Sequence, residues 1–304
     1  MSSLIRRTWA VLFFLLLSVG SAWADSQGLL SGTGQFSLTV PTLNGPQPLT
    51  VFFYRPLQAR PDTPVVVVMH GVNRNAADYR DQWIEPAREH GFIVLAPEFT
   101  KTDFPGSAAY NLGNLMDADE HLNPKETWSF TLVHRVFQRA IELTGGACQR
   151  FGLFGHSAGG QFVHRMVSLY PRPEIGTAVA ANAGWYTLPL RTVRWPYGWQ
   201  GLPEGRVGDP AFDLKAAFAK HLVLLLGEED TDPEAENLRN TKETKAQGPH
   251  RLARGQYFLA ESRKIAARLG LPFAWEMVLV PGVDHSPSRM AKAAAEIFAA
   301  HPSC

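Results

Sequence analysis

Cysteine is nearly missing from this chain. Of 304 residues only Cys148 and Cys304 are cysteines. That excludes a framework of several disulfides and leaves one bond or two separate thiols. Runs of basic residues are also missing, as is any interleaving of basic with aromatic side chains. Both absences argue against a nucleic-acid surface. No H-E-x-x-H offers a zinc-ligand spacing, and no G-x-x-x-x-G-K offers a phosphate cradle. The spacing of Asp117, Asp119, Glu120 and Asn123 fits no calcium loop, so they read as a solvated acidic loop. The chemistry must therefore be looked for without metal or cofactor. Internal repeats and low-complexity linkers are absent. The apolar run at 9–19 is short for a stop-transfer helix, which leaves no stable membrane span.

That run is instead part of a leader. Arg6 and Arg7 precede it, and Ser21-Ala22-Trp23-Ala24 ends in a small-x-small site. The pattern predicts a signal peptide over 1–24, cleavage before Asp25, and an exported protein, periplasmic or secreted. No cysteine follows the run to carry a lipid. The whole chain is 45% hydrophobic and nearly balanced in charge, which suits a single α/β domain over residues 25–304.

The rest is organised around residues 150–160, R-F-G-L-F-G-H-S-A-G-G. Phe151, Leu153 and Phe154 read as a buried strand. Phe162, Val163, Met166, Val167 and Tyr170 recur at helical spacing. Between them, G-x-S-x-G puts Ser157 on a turn whose neighbours have almost no side chain, with helix amides aimed at any negative charge that develops there. Strand, turn and helix together are the context a serine nucleophile needs.

Strand patterns are read at 35–40 and 49–55, joined by a turn over 41–48, and then at 65–69, 92–96, 151–154, 177–181, 221–226 and 273–280. Helices are expected at 76–89, 126–144, after Ser157, at 256–269 and at 288–300. The residues from 101 to 125 form a long loop. Insertions are expected around 184–210, an aromatic wall or lid, and around 231–254. The alternation predicts a mostly parallel sheet with helices on both faces, and chemistry beyond the carboxyl ends of the strands. His70-Gly71-Val72, Ser157, Asp230 and His285 each follow a different strand.

A serine at neutral pH needs a base, and the base an anion to fix its tautomer. His285, after the last strand, is the expected base. Asp230 is the expected acid, with Asp232 second and Glu228 or Glu229 behind it. The order Ser157, acid, His285 is that of the α/β-hydrolase triad. The oxyanion is expected between the amides of Val72 and Ala158. His70, Gly71, Trp185 and Tyr186 are candidates for the substrate wall, with His70 more a brace for its loop. The aromatic segment suggests an apolar or aromatic substrate face. In the predicted topology Cys148 and Cys304 both fall at the sheet edge away from the site, which allows a disulfide.

These motifs, Val68-Met69-His70-Gly71, the elbow 155–160, the strand end 227–230 and Gly282–His285, resemble an α/β-hydrolase over nearly the whole mature chain. The closer resemblance is to exported poly(3-hydroxybutyrate) depolymerase-like and feruloyl esterase-like hydrolases. The segments 110–114 and 248–251 are similar to those of depolymerase-like hydrolases. The resemblance implies the triad Ser157, Asp230 and His285 by position, and a serine esterase with no cofactor is expected. Two departures, the absence of the appended binding domain of many polymer depolymerases and the presence of only two cysteines, favour a soluble, small or oligomeric ester over a solid polymer. The alternatives are a peptidase or amidase of the same fold, with Asp117, Asp119 and Glu120 near a peptide terminus, and a non-catalytic hydrolase-fold binding protein.

Overall fold

The computed structural model describes residues 29–205, 209 and 211–304. The expected leader lies outside the described residues, as do 206–208 and 210 of the aromatic segment. Eight strands make one sheet in the order β1-β2-β4-β3-β5-β6-β7-β8. β1 (Gly32–Thr42) and β2 (Gly45–Arg55) form a hairpin, and β2 runs antiparallel to β4 (Ile93–Pro97). All other pairings are parallel, through β3 (Val65–Met69), β5 (Phe151–His156), β6 (Ile175–Ala181), β7 (Leu222–Gly227) and β8 (Trp275–Val280). This is the α/β-hydrolase fold.

The apolar run of β3 explains its central place. Val65, Val67 and Met69 face one layer, and Val66 and Val68 the other. Both faces need helical cover, because alternate side chains point to opposite sides. α3 (Ser129–Thr144), α4 (Ala158–Leu169), α5 (Leu214–Ala219) and α7 (Arg251–Leu269) contribute to the first layer. α1 (Ala76–Gln82), α2 (Ile84–His90) and α8 (Pro287–Ala300) contribute to the second. Among the described residues no helix is long and apolar enough to cross a membrane.

Three local readings are corrected. The helix expected over 76–89 is two, broken at Trp83. Pro86 has no N–H to give the Gln82 carbonyl, so the ladder cannot run through. The turn expected over 41–48 is only Leu43-Asn44, and Pro41, Pro46 and Pro48 sit in paired strands. Pro46 and Pro48 lie outside Val51–Tyr54, the part of β2 that β4 pairs with, and Pro41 lies in β1, the edge strand, so each has an open side where a missing N–H is tolerated. The polar insert holds a short helix, α6 (Lys242–Gln247), whose capping box joins Thr241 and Thr244.

At the opposite end of β5 from Ser157, Cys148 and Cys304 form a disulfide with Cα atoms 4.2 Å apart. Ser303 beside it accepts the Thr177 amide at 3.1 Å and fits where a side chain on Gly176 would stand. The end of the chain is thus fastened to the sheet.

Candidate active site

Ser157 joins β5 to α4 with φ 58° and ψ −115°, in the left-handed region that costs a residue with a Cβ. The residues two positions away on either side must be glycine. A Cβ on Gly155 would lie 2.2 Å from the Gly159 carbonyl oxygen, and one on Gly159 would lie 2.0 Å from that of Met69. Ser157 donates its own amide to Ala181 at 3.0 Å, which ties the turn to β6.

His285 follows β8 through the Pro281-Gly282 turn. Its Nδ1 lies 2.7 Å from Asp230 Oδ2. A carboxylate can only accept, so Nδ1 carries the proton and Nε2 keeps its lone pair. Asp230 is 3% exposed at its side chain and His285 30%, so the carboxyl is shielded from water and the imidazole can be reached. Asp232, Glu228 and Glu229 are exposed, and Asp232 Oδ1 accepts the Glu234 amide.

The sequence reading missed Arg251. Its Nη1 donates to the other oxygen of Asp230 at 3.2 Å, and both side chains are almost wholly buried. Its Nη2 donates to the Glu236 carbonyl at 3.3 Å. The signal was the segment 248–251, which opens α7 and whose motif had no assigned role. A second neighbour is His156, which its place inside the elbow, next to Ser157, leads one to expect pointing away from the hydroxyl. Its Nδ1 lies 3.1 Å from the Tyr79 hydroxyl, and its ring lies 4.5 Å from that of His285. Burial, then the repulsion that a protonated His285 and Arg251 would exert, holds it well below the usual histidine range, so it stays neutral.

Two cavities meet at Ser157. The larger, about 320 Å³, is lined by Val72 and Ala158 and further by Trp185 and Gln161. The smaller, about 210 Å³, holds His285, Gly71, Tyr79 and Arg251. Both expected oxyanion residues therefore border the space beside Ser157. His70 does not. It is fully buried, donating from Nδ1 to the Gly71 carbonyl at 3.0 Å and accepting the Phe99 amide at 3.1 Å. Burial lowers its pKa to about 3, and it braces the loop instead of touching the cleft. Tyr186 is also absent from the lining. Its ring stacks on Phe258, and its backbone pairs with the Gln247 side chain. A residue that follows a strand end can turn into the core as readily as into the cleft. The acidic loop lines neither cavity: Asp117 Oδ1 accepts the amides of Asp119 and His121, so the carboxylate shapes its own turn.

Fold and site together define a hydrolase of the α/β-hydrolase superfamily. The chain is 41% identical to poly(aspartic acid) hydrolase-1 from Sphingomonas sp. KT-1, with a TM-score of 0.83 over 88% of this chain and 99% of that one. It is 37% identical to LpqC, a poly(3-hydroxybutyrate) depolymerase from Bordetella parapertussis, with a TM-score of 0.81 over 88% and 89%. The chain belongs to the α/β-hydrolase family that contains these two enzymes. An S-formylglutathione hydrolase from Agrobacterium tumefaciens, 17% identical with a TM-score of 0.57 over 91% and 98%, shares the fold. No family model and no curated protein sequence matches the chain.

Proposed function

We propose that the protein is a serine hydrolase that cleaves carboxylic esters of small or oligomeric substrates through an acyl-enzyme on Ser157. The observation that carries this is the 2.7 Å bond from His285 Nδ1 to buried Asp230, beside a serine on a strained elbow. Ser157 Oγ attacks the acyl carbon while Nε2 of His285 takes its proton. The carbonyl oxygen becomes an anion held by the amides of Val72 and Ala158. As the tetrahedral species collapses, the carbon–oxygen bond to the alcohol breaks, and His285 returns the proton to the leaving oxygen. Water then attacks the acyl-serine by the same route and frees the acid.

Labelling with a fluorophosphonate, with p-nitrophenyl ester hydrolysis in parallel, tests it. The unmodified protein is expected to label and hydrolyse, and Ser157→Ala to do neither. A folded protein that does neither unmutated would leave the binding-protein reading in its place. Amide hydrolysis is a second reading, favoured by the likeness to an enzyme that acts on poly(aspartic acid). Rates on matched ester and amide substrates separate the two. We also propose export to an oxidising compartment, supported by the Cys148–Cys304 bond. N-terminal sequencing of the mature protein should then begin at Asp25.

A further inference from the structure

The two cavities at Ser157 differ in charge. A leaving alcohol takes its proton from His285, so it departs through the smaller cavity, which that imidazole lines. The acyl chain then extends the other way, into the larger cavity past Val72 and Ala158. Arg74 and Lys101 line the larger cavity, and no acidic residue does among the described residues. The acidic residue of this region, Glu236, borders the smaller one.

Among the described residues, neither Arg74 nor Lys101 forms an ion pair with a carboxylate. Arg74 donates to the carbonyls of Phe99 at 2.6 Å and Gly106 at 2.7 Å, with its guanidinium over the Tyr110 ring. Lys101 is exposed at the rim. Behind the wall, Arg165 is fully buried and donates to neutral acceptors, the Thr187 hydroxyl and the carbonyls of Asn111 and Gln161. Its Nη2 has no hydrogen-bond partner among the described residues. Its guanidinium lies 4.1 Å from the centre of the Trp185 ring, and that of Arg239 lies 4.9 Å from the same ring. The aromatic wall that promised an apolar face is therefore backed by cations. Neutral acceptors solvate a buried charge without cancelling it, so the field reaches into the cavity through a medium of low dielectric.

We propose that the larger cavity selects an acyl group that carries a carboxylate, with Lys101 as the contact at the rim and Arg74 and Arg165 supplying the field behind it. The substrate class is then the half-ester of a dicarboxylic acid, or an oligomer whose acyl side is anionic. This rests on the reading of Ser157 as the nucleophile.

The test compares kcat/KM for p-nitrophenyl hemiglutarate and for its neutral near-isostere, p-nitrophenyl hexanoate. The expected result is an anionic-to-neutral ratio that falls roughly three- to fivefold in Lys101→Gln, the range of a rim ion pair. It should fall further in Lys101→Glu, and fall with added salt in the unmutated protein. A ratio unmoved by Lys101→Glu and by salt overturns the proposal. A second measurement is independent of turnover: Ser157→Ala protein is titrated with monomethyl glutarate and with dimethyl glutarate by ligand-observed NMR. The monoanion should bind more tightly, and a second change, Lys101→Glu, should remove the difference. Equal binding overturns the proposal. If neither ester is hydrolysed and no fluorophosphonate attaches, the nucleophile reading fails while the titration still decides the charge preference.

Discussion

Asp230 is held at both oxygens, by His285 Nδ1 and by the guanidinium of Arg251. The acid therefore has one orientation, and the choice between Asp230 and Asp232 becomes physical. Asp230→Asn should lower kcat by about 10⁴, as expected when the imidazole loses the partner that fixes its tautomer. Asp232→Asn should leave kcat within twofold, roughly the scatter of surface changes. Comparable losses in both would reassign the acid. Arg251→Met should cost about 3–5 kcal/mol of stability, because it leaves a buried carboxylate without its cation. Urea unfolding reads this, and a loss under about 1 kcal/mol would mean Asp230 does not depend on the pair. Ser157 and His285 were legible in the sequence because strand ends and glycines mark their places. Arg251 was not, because its place comes from a contact across the fold: it meets an aspartate 21 positions before it.

At the scale of elements, the elbow depends on close approach between β5, α4 and β3. Gly159→Ala should destabilise by about 3 kcal/mol or more and abolish labelling, since its Cβ meets backbone that cannot step aside. Gly145 at the end of α3 is the contrast. It has φ 62° with open space around it, so Gly145→Ala should cost about 1–2 kcal/mol and spare labelling. Unfolding midpoints with labelling rates test the pair; equal losses would contradict the packing argument. Patterning located the strands because wholly apolar runs such as Val65–Met69 permit little else. The turn at 43–44 and the break at Trp83 depend on where one proline meets one hydrogen-bond partner, which a periodicity does not carry. α6 is polar and six residues long, too short to print a period.

Over the whole molecule, buried neutral histidines set the acid limit. Burial lowers His70 to about 3 and His134 to about 4, and holds His164 well below its usual value. Unfolded histidine takes a proton near pH 6.5, and these folded ones do not. Their stabilising contribution is therefore complete above about pH 6.5 and is lost as pH falls toward 4, at up to about 1.4 kcal/mol per pH unit for each group. Urea titrations at pH 7.5, 6 and 5 should follow that slope. His70→Gln should flatten it, whatever its cost at neutral pH, and an unchanged slope would rule out His70 as a contributor.

Cys304 is exposed and bonded to Cys148, just before β5, while Ser157 stands beyond that strand's other end. Its sulfur is spent in that bond, so a spacer, a bead or a fusion partner joined through the backbone at Cys304 would attach on the side facing away from the cleft. An immobilised preparation tethered there would present its working face to the solution.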